Sequence, residues 1–140
     1  MFSKVFFLAL LPSIFAVNHA VSVGANNALA FSPTTITAAV GDTITFTVVS
    51  RNHSISSAQF SGAICPPPAG GAGFGPFDSG FLSNLDGSLP TFVYTVVDTQ
   101  PRFGACRQAN GGHCRAGMTF AINPDASHTY ADFLANARAS

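Results

Sequence analysis

The sequence predicts an all-β sandwich, and three observations point that way. Residues 43–48, Thr-Ile-Thr-Phe-Thr-Val, alternate polar and apolar side chains with a strict period of two, the pattern of a strand with one buried face. Turn residues break the chain at short intervals, at Ser32-Pro33, Val40-Gly41-Asp42, Asp98-Thr-Gln-Pro101 and Asn123-Pro124. At 140 residues the chain has room for one core.

Taken in order, Val21 and Val23 open a strand, Leu29 and Phe31 a second, and Ile36 follows the Ser32-Pro33 turn. After the strand at 43–48, the strand-like alternation continues to residue 60. The stretch from Ser61 to Pro90 changes character. Cys65-Pro-Pro-Pro-Ala-Gly-Gly-Ala-Gly-Phe-Gly-Pro76 has no periodicity and predicts a long irregular loop. Residues 91–96 are a second clear strand, 102–106 a short one, and 118–122 the last. Beyond Asn123-Pro124, Ser127 offers an N-cap for a short helix carrying Tyr130, Phe133 and Leu134.

The first twenty residues stand apart. Lys4 precedes the apolar run Val5 to Ala16, too short to span a bilayer, and Ala16 and Ala20 offer cleavage points, the pattern of a secretory leader. The expected division is a leader over 1–20, cut after Ala20 so that the mature chain opens on Val21, a domain over 21–124 and a tail over 125–140. The tail has no hydrophobic stretch, so the expected product is secreted, extracellular or held in a cell wall, with no membrane span. Formal net charge is zero and only 9% of residues are charged. Such a surface excludes nucleic acid or anionic lipid as the partner.

Three cysteines in a secreted chain is an odd number, explained by one disulfide and one metal-bound thiolate. Cys106, His113 and Met118 lie in one short stretch, with six residues between the first two and four between the last two; His53 stands upstream. A thiolate, two imidazoles and a thioether are the donor set of a mononuclear blue-copper site, with the thioether as long axial ligand. Gly111 and Gly112 let the stretch turn back, and Gly117 allows close backbone approach before Met118. If the segment is extended, His113 and Cys114 face opposite ways, leaving Cys114 free to pair with Cys65. Pairings of Cys106 with Cys65 or with Cys114 remain open and would consume the thiolate. Asn52-His53-Ser54 is a glycosylation sequon, although a hydrogen bond from Asn52 to the ligand loop is the favoured role. His19 falls in the leader and His128 in the tail, and neither is assigned to the metal.

With those residues in place, the chain resembles the cupredoxins, and closely resembles the secreted fungal plastocyanin-like proteins related to plant phytocyanins. The matching stretches are Val40-Gly-Asp-Thr-Ile-Thr-Phe46, Asn52-His53-Ser54-Ile55, Phe77-Asp-Ser-Gly-Phe81, Phe92-Val-Tyr-Thr-Val96, His113-Cys-Arg-Ala-Gly-Met118 and Phe120-Ala-Ile-Asn-Pro124. The resemblance implies a cupredoxin-like Greek-key β-sandwich of about eight strands. It also implies His53, Cys106, His113 and Met118 as ligands of one copper ion and a Cys65–Cys114 disulfide. Two departures stand out: Gly104-Ala105 replace the bulky aromatic that usually precedes the ligand cysteine, and the Cys106–His113 spacing is longer than in plastocyanins.

The functional expectation is a monomeric, secreted, type 1 copper protein that carries one electron, with a redox partner or a copper donor or acceptor. The chain shows no acid/base pair and no triad, so it is not expected to be an enzyme. The alternatives are copper scavenging or storage, and a cell-wall interaction module on the same scaffold.

Overall fold

A computed structural model describes residue 5, residues 7–11 and residues 15–140. Parts of the expected leader, Lys4 among them, lie outside the described residues. The strands among the described residues are β1 (Asn18–Val23), β2 (Phe31–Ser32), β3 (Thr35–Ile36), β4 (Thr43–Val48), β5 (Asn52–Ala58), β6 (Asp78–Ser83), β7 (Thr91–Thr95), β8 (Arg102–Ala105) and β9 (Thr119–Ile122). A helical turn, α1 (Gly112–Arg115), precedes β9, and a C-terminal helix, α2 (Tyr130–Ala139), ends the chain.

The strands form two sheets, in the orders β2-β1-β4-β7 and β3-β9-β8-β5-β6. In β4, Ile44, Phe46 and Val48 are buried while the threonines between them are half-exposed, as the period-two pattern requires. Those three meet Val21, Val23 and Phe31 of the same sheet, and Ile55, Phe120 and Ile122 of the other, in one apolar cluster. Cys106 and Met118 lie in that same cluster, so the expected metal donors sit at the margin of the core.

The second sheet is covered on both faces. Every residue of β8 and β9 is buried. Phe103, Ala105 and Ala121 turn away from the first sheet and pack against Phe133 and Ala137 of α2, four residues apart and therefore on one helix face. The helix thus closes the outer face of the strand that leads into the ligand loop.

Four features differ from the sequence reading. The sandwich is mixed rather than antiparallel throughout, because β1 pairs with β4, and β3 with β9, in parallel. The segment 61–90 is not all loop. It contains β6, whose Asp-Ser-Gly-Phe-Leu-Ser composition hides a strand that pairs with β5 through an irregular register. Helix α2 is capped by Thr129, whose hydroxyl accepts the Asp132 N–H at 3.1 Å, and not by Ser127, whose N–H is turned onto the Asp125 carboxylate. Finally, β1 begins at Asn18, so the pairing with β4 starts three residues before Val21.

Candidate metal centre

Three donor atoms converge at the end of the sandwich where β5 begins and β8 ends. His53 is the second residue of β5 and is fully buried. Cys106 follows β8, is fully buried and has a free thiol. His113 lies in α1 and is half-buried, beside the exposed Gly112. Cys106 Sγ stands 3.7 Å from His53 Nδ1 and 3.6 Å from His113 Nδ1, and all three donor atoms lie within 4.8 Å of one another. Two donors bound to one ion by bonds of about 2.1 Å at roughly 120° are about 3.6 Å apart, so the spacing fits a shared metal in trigonal coordination. The two imidazole rings are 5.3 Å apart and tilted by 53°, with no stacking that a metal would have to disrupt.

Backbone hydrogen bonds fold the loop onto the donors. The Cys106 N–H donates to the Met118 carbonyl at 3.1 Å, and the Met118 N–H donates to the His113 carbonyl at 3.0 Å. Cys106, His113 and Met118 are therefore tied to one another through the main chain, and the Met118 side chain is fully buried beside them. The left-handed turn at Gly111 (φ 88°) brings its backbone against Pro66, where a Cβ would stand 2.7 Å from the Pro66 nitrogen. Cys114 bonds to Cys65 across 49 residues. This pairing leaves Cys106 free, as the copper reading requires. The geometric reason differs from the expected one: His113 and Cys114 are neighbours on a helical turn, about 100° apart around its axis, rather than opposite faces of a strand.

The thiol is held by its surroundings as well as by the chain. The Ser54 N–H donates to Cys106 Sγ at 3.3 Å and the Gln108 N–H donates at 3.4 Å. Ser54 Oγ accepts the Arg107 N–H at 2.9 Å and pairs with Ser56 Oγ, which donates to Asp78 Oδ1 at 2.7 Å. The other Asp78 oxygen takes the Gly70 N–H and the Arg107 guanidinium, which also lies over the Phe81 ring. The bond to the ligand loop that was expected of Asn52 is thus made by Ser54. A serine directly after the candidate histidine, and an aspartate among only six acidic residues, were the available signals in the sequence.

Electrostatics follow burial. Burial, then the nearby His113 and the charge of Arg51, lower the His53 pKa to about 4, so its imidazole is neutral and able to bind metal at neutral pH. Burial also lowers His113, with Arg51 contributing. It pushes the Cys106 thiol up, against the two backbone N–H groups that favour the thiolate. The proton on that sulfur is the one a metal ion would displace. Gly24 (φ 84°) packs against the far side of the His53 ring, where a Cβ would stand 2.9 Å from Nε2.

The departure before Cys106 has a physical counterpart. Gly104 pairs with Phe120 across β8 and β9, and a Cβ at Gly104 would stand 2.2 Å from the Phe120 ring. The aromatic backing of the loop comes from the neighbouring strand, lying over the glycine. Elsewhere, His19 in β1 bonds Asp42 at 2.9 Å and His128 lies beside Asp125, both apart from the donor cluster.

No protein-family model matches the chain, and no curated protein matches it. Solved structures do. Auracyanin B matches with 16% identity over 80% of this chain and 91% of its own, at a TM-score of 0.52. A mutant plastocyanin of fern matches with 25% identity over 74% of this chain and 96% of its own, at 0.51. Rusticyanin from Thiobacillus ferrooxidans matches with 18% identity over 78% and 77%, at 0.51. These proteins are cupredoxins, and the chain has the cupredoxin fold. In this chain a C-terminal helix covers the outer sheet face and a disulfide lies beside the ligand loop.

Proposed function

We propose that the chain is a secreted electron carrier with one type 1 copper ion, held by His53, Cys106, His113 and Met118. The observation that carries this reading is a buried thiol with two imidazole nitrogens 3.6 and 3.7 Å away. Copper bound there would supply a one-electron couple. The chain's own residues do the rest. Cys106 gives up its proton to become the thiolate donor, and the Ser54 and Gln108 N–H groups stabilise charge on its sulfur. Met118, next to His113 through its N–H, would be the fourth donor, and its thioether would tune the potential. With four protein donors no position is left for a substrate, which favours electron transfer over catalysis. His113, half-buried beside exposed Gly112, is the exit route for the electron to a redox partner.

Secretion rests on the leader-like pattern of Lys4 and the apolar run Val5 to Ala16, and agrees with an intact disulfide, which persists in oxidising compartments. Within the fold, the stretch His113-Cys-Arg-Ala-Gly-Met118 aligns the reading with the secreted fungal plastocyanin-like proteins, and the protein acts as a monomer.

The test is the visible spectrum of the mature protein during Cu(II) titration, with Cys106→Ser alongside. An intense blue charge-transfer band that saturates at one equivalent and is absent from the variant supports the proposal. Tight binding with a weak spectrum would replace electron transfer by copper storage, and absence of binding would leave a surface role for the sandwich.

A further inference from the structure

We infer that the chain is cut between Ala16 and Val17, and that the amino group so freed becomes the ionic partner of Asp42, latching the first strand of the sandwich. The inference rests on the reading of the first residues as a leader, but not on copper.

Two cuts are offered by the small residues Ala16 and Ala20. A cut after Ala20 would remove half of β1. That strand runs beside β4 in unbroken register from Asn18↔Thr43 to Val23↔Val48. Its first residues are heavily used: Asn18 Oδ1 accepts the hydroxyls of Thr43 and Thr45 at 2.9 and 2.7 Å, and His19 Nε2 lies 2.9 Å from Asp42 Oδ2. The Val17 carbonyl accepts the Thr43 N–H at 3.0 Å. Without residues 17–20, the Asp42 carboxylate would lose the Val17 N–H and the His19 ring and keep the Ala39 N–H alone of these partners.

A cut after Ala16 removes nothing the fold uses among the described residues. Every described residue before Val17 is exposed, and Phe7, Leu10 and Phe15 are 95%, 91% and 82% exposed. Both cuts put a small alanine at the −1 position, and neither has a small residue at −3, Ile14 in one case and Asn18 in the other, so the fold and not the leader decides between them.

The chemistry of the cut matches the place prepared for it. A leader peptidase adds water across the Ala16–Val17 amide: the C–N bond breaks, Ala16 leaves with a carboxylate, and the Val17 nitrogen takes up a proton as an ammonium. That nitrogen already stands 2.9 Å from Asp42 Oδ1 as an amide donor. Hydrolysis turns a neutral donor into a charged one at the same distance, and charge-assisted hydrogen bonds are the stronger kind. Asp42 is ready for it: hydrogen bonding from His19, Val17 and Ala39 holds its carboxyl at about 2. From this latch β1 runs to Val23, directly before Gly24, the residue against the His53 ring.

The full chain with its own leader is to be expressed in a secreting host and the product read by N-terminal sequencing and intact mass. A product beginning at Val17 is expected; one beginning at Val21, or retaining the leader, overturns the inference. The ionic pairing is tested separately on the mature protein. An added glycine before Val17 moves the ammonium away from Asp42, and Asp42→Asn removes the charge. Each should lower the thermal midpoint, and the two together should lower it less than additively. A glycine extension that leaves the midpoint unchanged overturns the latch.

Discussion

Adding one methyl group at Gly104 probes how the ligand loop is backed. A Cβ there would stand 2.2, 2.5 and 2.9 Å from Cζ, Cε1 and Cε2 of Phe120. Ordinary carbon contacts need about 3.5 Å or more, so the ring must retreat by roughly 1 Å. It has little room to do so: its centroid lies 4.7 Å from Phe31 and 5.0 Å from Phe46, and all three rings are fully buried. Overpacking of this kind costs about 1–3 kcal/mol, and a pinned aromatic puts Gly104→Ala near the upper end. With a urea slope of about 1–3 kcal/mol/M, the unfolding midpoint should fall by roughly 1 M or more. The assay is urea unfolding of wild type, Gly104→Ala, Phe120→Leu and the double variant. Phe120→Leu vacates the space the new methyl needs, so the pair should show a coupling of about 1 kcal/mol or more. Gly104 lies two residues before Cys106 and Phe120 two after Met118, so the blue band of the copper-loaded single variant should also shift. A midpoint unchanged by Gly104→Ala, or strict additivity with Phe120→Leu, would refute the claim that the ring backs the loop.

Three further outcomes follow from the geometry. Replacing both Cys65 and Cys114 by alanine opens a 49-residue link and should cost about 4 kcal/mol on the loop-entropy relation, read as a lower denaturation midpoint; a loss below about 1 kcal/mol contradicts it. The His53 pKa is depressed from 6.5 to about 4, so the neutral imidazole stabilises the metal-free fold fully above pH 6.5 and that stability is lost as pH falls through 4. The loss is about 3 kcal/mol, measured as urea midpoints between pH 7 and 4, and His53→Gln should flatten that profile. Ser54→Ala leaves the half-buried Arg107 N–H without its acceptor and the Ser56 hydroxyl with Asp78 alone, and should cost about 1–3 kcal/mol while shifting the copper potential; an unchanged potential would show that the Asp78–Ser56–Ser54 chain does not reach the sulfur.

Legibility in the sequence tracked how locally each feature is determined. The strand Thr43–Val48 was readable because its alternation follows from one face being buried. The donors Cys106, His113 and Met118 were readable as a set because one short loop carries them and their chemistry is distinctive. The odd cysteine count asked for one disulfide and one metal-bound thiolate before any geometry was known. Strand β6 was not readable. Asp78, Ser79 and Gly80 carry no apolar alternation, and the strand exists because β5 offers an edge and the Asp78 carboxylate organises Gly70, Gly80, Ser56 and Arg107 around itself. The parallel pairings of β1 and β3 depend on contacts between residues far apart in sequence, which no local pattern encodes. The role of Gly104 was misleading locally, since a missing aromatic looks like a weakened loop until Phe120 is seen above it.

The way the donors are supported bears on why electron transfer is the better reading than storage. His53 comes from β5, Cys106 from the end of β8, and His113 and Met118 from the segment between α1 and β9. Each is fixed by something other than the metal. Gly24 packs against the His53 ring, Ser54 and Gln108 hold the sulfur, and the Cys65–Cys114 bond anchors the turn that presents His113. Elements fixed independently cannot all move together, so the donor geometry resists change when the charge on a bound ion changes by one. Resistance of that kind lowers the structural rearrangement that accompanies a one-electron step, whereas a storage site gains nothing from it and would be served equally well by donors on a flexible tail. The arrangement therefore places its constraints where an electron carrier needs them, on the thiolate and the buried imidazole, and leaves the half-exposed His113 as the one donor near solvent.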